Sequence, residues 1–385
     1  MPGTTEEFVD VGSLLRTQCP KEPVYCIFPH IFRETAREFL GGFPGRVLYA
    51  VKANSDATVL ELLTEAGVRH FDCASLPEIA RVDAIVPEAK KYFMTPIRIR
   101  EAARTAQAKH GVRHFVVDHL SGLSQLVAEI DTSRSVIFAR MAVHHESAME
   151  DLSVRFGAPP DDMPQLLQSI RDSGAEPALA FNVGSSVTDP DAYRHAISVT
   201  RSVLEQLPFR LRLIDVGGGY PKSYPDFIVP ELGEYFRAVE ESFATLPLAD
   251  NAEMLGEPGR ALAAPGMSAV VEILLRKEDR LYINDGMYGA FWLLRIDGPD
   301  RYPVRTYRDG RPLQGETTEF QINGPTCDST DTLPGAVPLP VDVRPGDYLE
   351  FGNIGAYSIS GRTDYNGFYS DRIVTITSPA EKPPA

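Results

Sequence analysis

Between residues 47 and 256 the chain repeats a short apolar run, rich in Val, Ile and Phe, followed by an amphipathic stretch. The apolar runs fall at 47–52, 70–75, 92–96, 114–118, 136–143, 178–184, 212–217 and 253–256. Such short, continuously apolar segments suit strands buried on both faces. Helical spacing marks the intervening stretches 56–66, 98–109, 121–130, 163–172 and 189–207. In the last of these Tyr193, Ile197, Leu204 and Leu207 share a face, and Asp189-Pro190 is a helix start. Strands alternating with helices demand a parallel sheet. Eight such strands in this span predict a closed (β/α)8 barrel, with residues 30–266 as its domain.

After residue 267 the texture changes. Runs at 268–275, 280–284, 319–323, 347–351 and 372–377 read as strands separated by Gly- and Pro-rich turns. A strand around 24–28 joins them. The expectation is a mostly β C-terminal domain built from 1–29 and 267–377, with a disordered Pro-rich tail at 378–385.

Charge and cysteine usage narrow the function classes. The 385 residues carry 38 basic and 53 acidic side chains, a formal net charge of −15. That balance argues against nucleic acid and anionic membrane as partners. No transmembrane or signal segment is legible, and the four isolated cysteines read as reduced thiols, so a cytoplasmic location is expected. Neither CxxC nor HExxH occurs, and no metal-ligand spacing is found.

A (β/α)8 barrel places its active site at the C-terminal ends of its strands. Lys52 stands where the first strand runs out. Alone it reads as a solvated lysine; near apolar residues it could form a Schiff base. Asp72 ends the second strand and, alone, suits a capping role. Gly184-Ser185-Ser186 follows the sixth, a common kind of turn that offers N–H groups and hydroxyls to an anion. Asp215-Val216-Gly217-Gly218-Gly219 follows the seventh, where a phosphate site often forms, although a flexible turn would look the same. Glu257-Pro258-Gly259-Arg260 follows the eighth, and its arginine could fork onto a phosphate or simply pair with the carboxylate. Lysine, glycine loop, arginine and carboxylate together fit pyridoxal 5′-phosphate, which needs a Schiff-base lysine, a phosphate cradle and an anion opposite its ring nitrogen.

Six motifs in order now carry a resemblance: Tyr49-Ala50-Val51-Lys52, Phe71-Asp72-Cys73-Ala74-Ser75, Asp215-Val216-Gly217-Gly218-Gly219, Glu257-Pro258-Gly259-Arg260, Gly324-Pro325-Thr326-Cys327-Asp328-Ser329 and Tyr365-Asn366-Gly367-Phe368. Over nearly its whole length the chain resembles the fold-type III pyridoxal-phosphate decarboxylases, with an alanine racemase-like barrel, and among them the ornithine/lysine decarboxylases. The resemblance implies roles. Lys52 would carry the cofactor, and Glu257 would keep its ring nitrogen protonated. Ser185, Gly218, Gly219, Arg260 and Tyr357 would hold the phosphate. Ala50 would pack on the ring, with Asp72 in its polar surroundings. Cys327, donated across a homodimer interface, would protonate the carbon that lost CO2. Asp297 and Asp328 would bind the distal ammonium, and Tyr288 would lie near the substrate.

One position departs from the pattern. The family usually has histidine over the exposed ring face, in a Phe-His-Val-Gly-Ser motif; here it is Asn182. A planar amide can lie over a pyridine but cannot become an imidazolium. At Arg155-Phe156-Gly157 the family's usual lysine is an arginine. The expected activity is decarboxylation of a basic L-amino acid, ornithine or lysine, to putrescine or cadaverine, as in polyamine biosynthesis. Two rivals stand beside it: a decarboxylase of an unusual diamino acid, favoured by Asn182, and a catalytically inactive, partner-binding homologue, disfavoured by Lys52, Glu257 and Cys327. Racemases also use such a barrel, but the Cys327-Asp328 motif favours decarboxylation.

Overall fold

The computed structural model describes residues 6–295 and 302–385. It divides into two compact units, one of residues 36–221 and 229–261, the other of 1–35, 222–228 and 262–385.

The first unit is a closed parallel barrel of eight strands: Arg46–Ala50, His70–Cys73, Lys90–Phe93, His114–Val117, Val136–Met141, Glu176–Phe181, Leu213–Asp215 and Glu253–Gly256. The last strand pairs with the first through Leu255↔Arg46 and Gly256↔Val47, which closes the ring. Side chains from alternate positions fill the interior, among them Leu48, Tyr92, Val116, Phe138, Ala178 and Leu255. The connecting helices start where the sequence supplies caps. Asp56 Oδ1 accepts the Thr58 N–H at 2.9 Å and opens Ala57–Ala66. Ser75 Oγ accepts the Glu78 N–H and opens Leu76–Ile85. Seven of the eight strands end before their apolar runs do, because the final residues of those runs bend into the loops that follow. Thus 51–52, expected to extend the first strand, fall in the 3-10 turn Val51–Ala53, which bears Lys52.

The second unit is a mostly β domain around the long strand Met267–Lys277. That strand pairs antiparallel with Val24–Ile27, Tyr348–Phe351 and Arg280–Ile283. The sequence reading missed four strands, Glu6–Phe8, Val304–Arg308, Arg311–Pro312 and Val337–Pro340. It also missed the helix Val11–Gln18, capped by Asp10. The tail 378–385, expected to be disordered, is instead seated on this unit. Pro383 and Pro384 are buried, and Arg305 donates to Glu381 Oε1 at 3.1 Å and to the Lys382 carbonyl at 3.2 Å. The same guanidinium faces the fully buried Glu350, so the tail is tied to a charge the core must compensate. No helix among the described residues is long and apolar enough to cross a membrane.

Candidate active site

The C-terminal ends of the barrel strands gather an unusual number of buried carboxyls. Asp72 ends the second strand, Asp215 the seventh, and Glu257 follows the eighth. Asp72 and Asp215 are buried, and Asp72 Oδ1, Asp215 Oδ2 and Glu257 Oε1 each lie out of solvent with no hydrogen-bond partner among the described residues. Burial pushes the Glu257 carboxyl well above the usual range, and neighbouring Asp215 pushes it further. Burial raises Asp72 likewise, with Glu257 adding to it. Asp215 is pushed up to about 7 by burial, although the Gly217 N–H, donating at 2.8 Å to its Oδ1, pulls the other way.

Two cations oppose these acids. Lys52 lowers both Asp72 and Glu257. Arg140, on the fifth strand, is itself depressed by burial but is favoured by Glu257, Asp118, Asp72 and Asp215. Its guanidinium sits 5.3 Å from the Phe156 ring centroid, within cation–π range. Sequence reasoning missed Arg140. The signal was there: an arginine inside the apolar run Val136–Met141 of a strand enclosed on both faces has to meet an acid.

Beside this cluster the backbone forms a bare cradle. A Cβ on Gly217 would lie 2.3 Å from the Phe181 carbonyl oxygen, on Gly218 2.6 Å from that of Glu257, and on Gly219 2.7 Å from that of Gly184. Each clash is with backbone, which cannot turn aside, and Gly217 and Gly219 also have φ of +71° and +103°. Only glycine lets this loop seat against the ends of the sixth and eighth strands. Ser185 follows the sixth strand, its N–H donating to the Glu150 carbonyl at 3.0 Å. The buried Arg260 reaches across from the eighth, and its Nη2 donates to Ser185 Oγ at 3.3 Å. A hydroxyl, a guanidinium and side-chain-free loop backbone suit a phosphate. Buried Ala50, whose N–H donates to the Pro258 carbonyl, presents only a methyl group next to Lys52. Asn182 is fixed: its Oδ1 accepts the Gly184 N–H at 3.0 Å, and its Nδ2 is 3.8 Å from where a Gly218 Cβ would be.

The remaining expected residues belong to the β domain. Tyr288 donates its hydroxyl to Asp328 Oδ2 and stacks on Tyr365 with ring centroids 4.3 Å apart. Cys327 is exposed, and its Sγ and N–H both lie 3.3 Å from Asn366 Oδ1. Buried Asp331 shapes that loop, accepting from the N–H groups of Met287 and Thr326 and from Thr326 Oγ1. The structure thus brings Cys327, Asp328 and Tyr288 together, and Asp331 is a member the sequence reading did not name. Tyr357 adopts a left-handed φ of +65°, and its carbonyl accepts the Trp292 indole N–H at 2.9 Å. Asp297 lies outside the described residues.

The barrel residues fit pyridoxal phosphate on two counts. Glu257 Oε1 lies out of solvent beside the buried Asp72 and Asp215, and a protonated pyridine would give it both a hydrogen-bond donor and a counter-charge. The glycine cradle admits no side chain, and Ser185 and Arg260 beside it offer a hydroxyl and a guanidinium to an anion.

Known proteins agree. Residues 30–264 match the family model described as pyridoxal-dependent decarboxylase, pyridoxal binding domain. The chain is 32% identical over 361 residues to antizyme inhibitor 2 of Xenopus laevis, across 86% of this chain and 75% of that protein. It is 29% identical over 363 residues to ornithine decarboxylase of Mus musculus, with the same shares covered. Among solved structures, lysine/ornithine decarboxylase from Vibrio vulnificus, complexed with putrescine, superposes with a TM-score of 0.80 at 28% identity, covering 92% of this chain and 94% of that one. The family match spans the barrel that holds the acid cluster and the glycine cradle, and on that ground the chain belongs to the pyridoxal-dependent decarboxylases.

Proposed function

We propose that the protein decarboxylates a basic L-amino acid, ornithine or lysine, to the corresponding diamine, working as a homodimer with shared sites. The observation that carries the chemistry is the unpartnered, proton-retaining Glu257 beside Lys52 and Arg140 at the barrel mouth. The cofactor, when bound, supplies a conjugated ring that accepts the electron pair left as CO2 departs. Lys52 would hold the cofactor through its amine. Glu257, which burial disposes to hold a proton, places it at the ring nitrogen and remains as the counter-anion. Asp72, Asp215 and Arg140 set the charge around that proton. Ser185, Gly218, Gly219, Arg260 and Tyr357 bind the phosphate, and Ala50 and Asn182 bound the ring faces.

Cys327 would deliver a proton from its thiol to the substrate carbon that lost the carboxylate, its Sγ aligned by Asn366. We propose that it serves the barrel of a second copy. Asp328, oriented by Tyr288, supplies the anion for the distal ammonium, with Asp297 as its companion. The basic substrate is further supported by the relatives named for ornithine and lysine decarboxylation.

A second reading rests on Asn182. Its amide is pinned to Gly184 and carries no titratable proton, which favours an unusual diamino acid as substrate. A third rests on the relative named as an antizyme inhibitor, which suggests a partner-binding homologue without turnover. Incubating the purified chain with pyridoxal 5′-phosphate and each basic amino acid separates them. Equimolar CO2 and putrescine or cadaverine supports the proposal. CO2 only from a modified diamino acid supports the second reading. Cofactor uptake without CO2 from any diamino acid supports the third.

A further inference from the structure

Every carbonyl of the glycine loop is tied down from behind. The Glu257 N–H donates to the Gly217 oxygen at 2.8 Å, and the Val187 N–H to the Gly219 oxygen at 3.0 Å. The middle carbonyl differs, because a side chain holds it: the Tyr193 hydroxyl donates to the Gly218 oxygen at 2.8 Å. A trans peptide is planar, with N–H and C=O pointing opposite ways. Anchoring the Gly218 carbonyl therefore turns the Gly219 N–H away from Tyr193.

The donor is held in place. Tyr193 lies on the helix Asp191–Leu204, 0% exposed. Its ring stacks on Tyr220, with centroids 5.2 Å apart at 22°, and meets Tyr235 edge-on at 6.2 Å. Burial pushes its phenol far above the ordinary value, so the hydroxyl keeps its proton. The Tyr235 hydroxyl, from the next helix, donates at 2.7 Å to the carbonyl of Val187, the residue whose N–H holds Gly219. Two tyrosines on two helices thus brace one loop.

We propose that Tyr193 is a positioning residue for phosphate recognition, its hydroxyl orienting the Gly218–Gly219 peptide so that the Gly219 N–H is presented to the cofactor's phosphate. This rests on the reading of Gly218 and Gly219 as phosphate-holding residues. The sequence showed Tyr193 only as one member of an apolar helix face.

Tyr193→Phe removes the hydroxyl and keeps the stacked ring. The measurement is the Kd of the full chain for pyridoxal 5′-phosphate and, separately, for pyridoxal, which lacks the phosphate. Removing one buried neutral hydrogen bond should weaken the phosphorylated ligand roughly three- to tenfold. The Kd for pyridoxal should not change, and kcat at saturating cofactor should be retained. An equal loss for both ligands, accompanied by a lower unfolding midpoint, marks a merely structural tyrosine and overturns the inference, as does no loss for either. If the wild-type chain itself binds both ligands alike, the phosphate cradle is wrong, and the inference falls with it.

Discussion

Glu257 is the residue on which the electrostatics of the barrel converge. Its Oε1 accepts no hydrogen bond among the described residues, Asp215 and Asp72 repel its charge, and Lys52 and Arg140 favour it. Lys52→Ala should remove both turnover and the visible absorbance of lysine-bound cofactor. Borohydride reduction followed by peptide mapping should label Lys52 in the wild type, and label on another lysine would contradict the assignment. Asp328→Asn tests the other half of the site. A hydrogen bond to a charged group contributes about 1.5–3 kcal/mol, so kcat/KM for ornithine or lysine should fall roughly ten- to hundredfold. Cofactor absorbance should stay unchanged, and diaminopimelate should remain a poor substrate because its second carboxylate meets the same anion. Lys52, Glu257, Asp72 and Arg260 stood out by their places at the strand ends, while their proposed roles came from the ordered motifs of the resemblance. Arg140 and Asp215 were not singled out, since their importance comes from neighbours far away in sequence that only closure of the barrel brings near. For Cys327 and Asp328 the motif was legible, while their alignment by Asn366 and Tyr288 needed the folded loop.

At the scale of elements, the two ends of the barrel do different work. The glycine loop at the C-terminal end admits no side chain, so Gly218→Ala forces its new methyl against the Glu257 carbonyl 2.6 Å away. The loop must shift, at a cost of about 1–3 kcal/mol, and cofactor affinity should drop with the unfolding midpoint. Calorimetry with and without cofactor would show the cofactor's stabilising increment shrink. At the opposite end, His70 and His114 open the second and fourth strands around Tyr92. Tyr92 Oη is 3.2 Å from His70 Nδ1 and accepts from Arg46 at 3.3 Å, and its ring stacks on His114. Burial, with Arg46 adding, lowers His70 to about 4 and His114 to about 3. Both are held neutral in the fold, so the unfolded chain binds protons first as pH falls below about 6.5. Their contribution to stability is therefore complete above that pH and is lost progressively down to about 3–4. His114→Phe should flatten the dependence of the unfolding midpoint on pH across that window, and an unchanged slope would contradict it. The barrel strands were legible because burial on both faces leaves apolar runs. Val304–Arg308 was not, because its Arg305 and Arg308 serve ion pairs, and the prolines of Val337–Pro340 disguise a strand that pairs in Phe320↔Val337 register. The tail looked disordered by composition, and only its bonds to Arg305 reveal otherwise.

At the scale of the whole molecule, Lys52 and Cys327 belong to different compact units of the chain. The proposed chemistry needs both, supplied by different copies in one working site, and mixing two inactive variants tests that sharing. Lys52→Ala lacks the attachment point and Cys327→Ala the proton donor, so neither alone should turn over. After subunit exchange, random pairing puts half of the dimers in mixed form. Each mixed dimer of a symmetric assembly holds one intact site, so activity should recover to about a quarter of wild type. Recovery near that level, dependent on exchange, is expected of shared sites. A fully active monomer, or no recovery in a mixture in which exchange has been demonstrated, would contradict it.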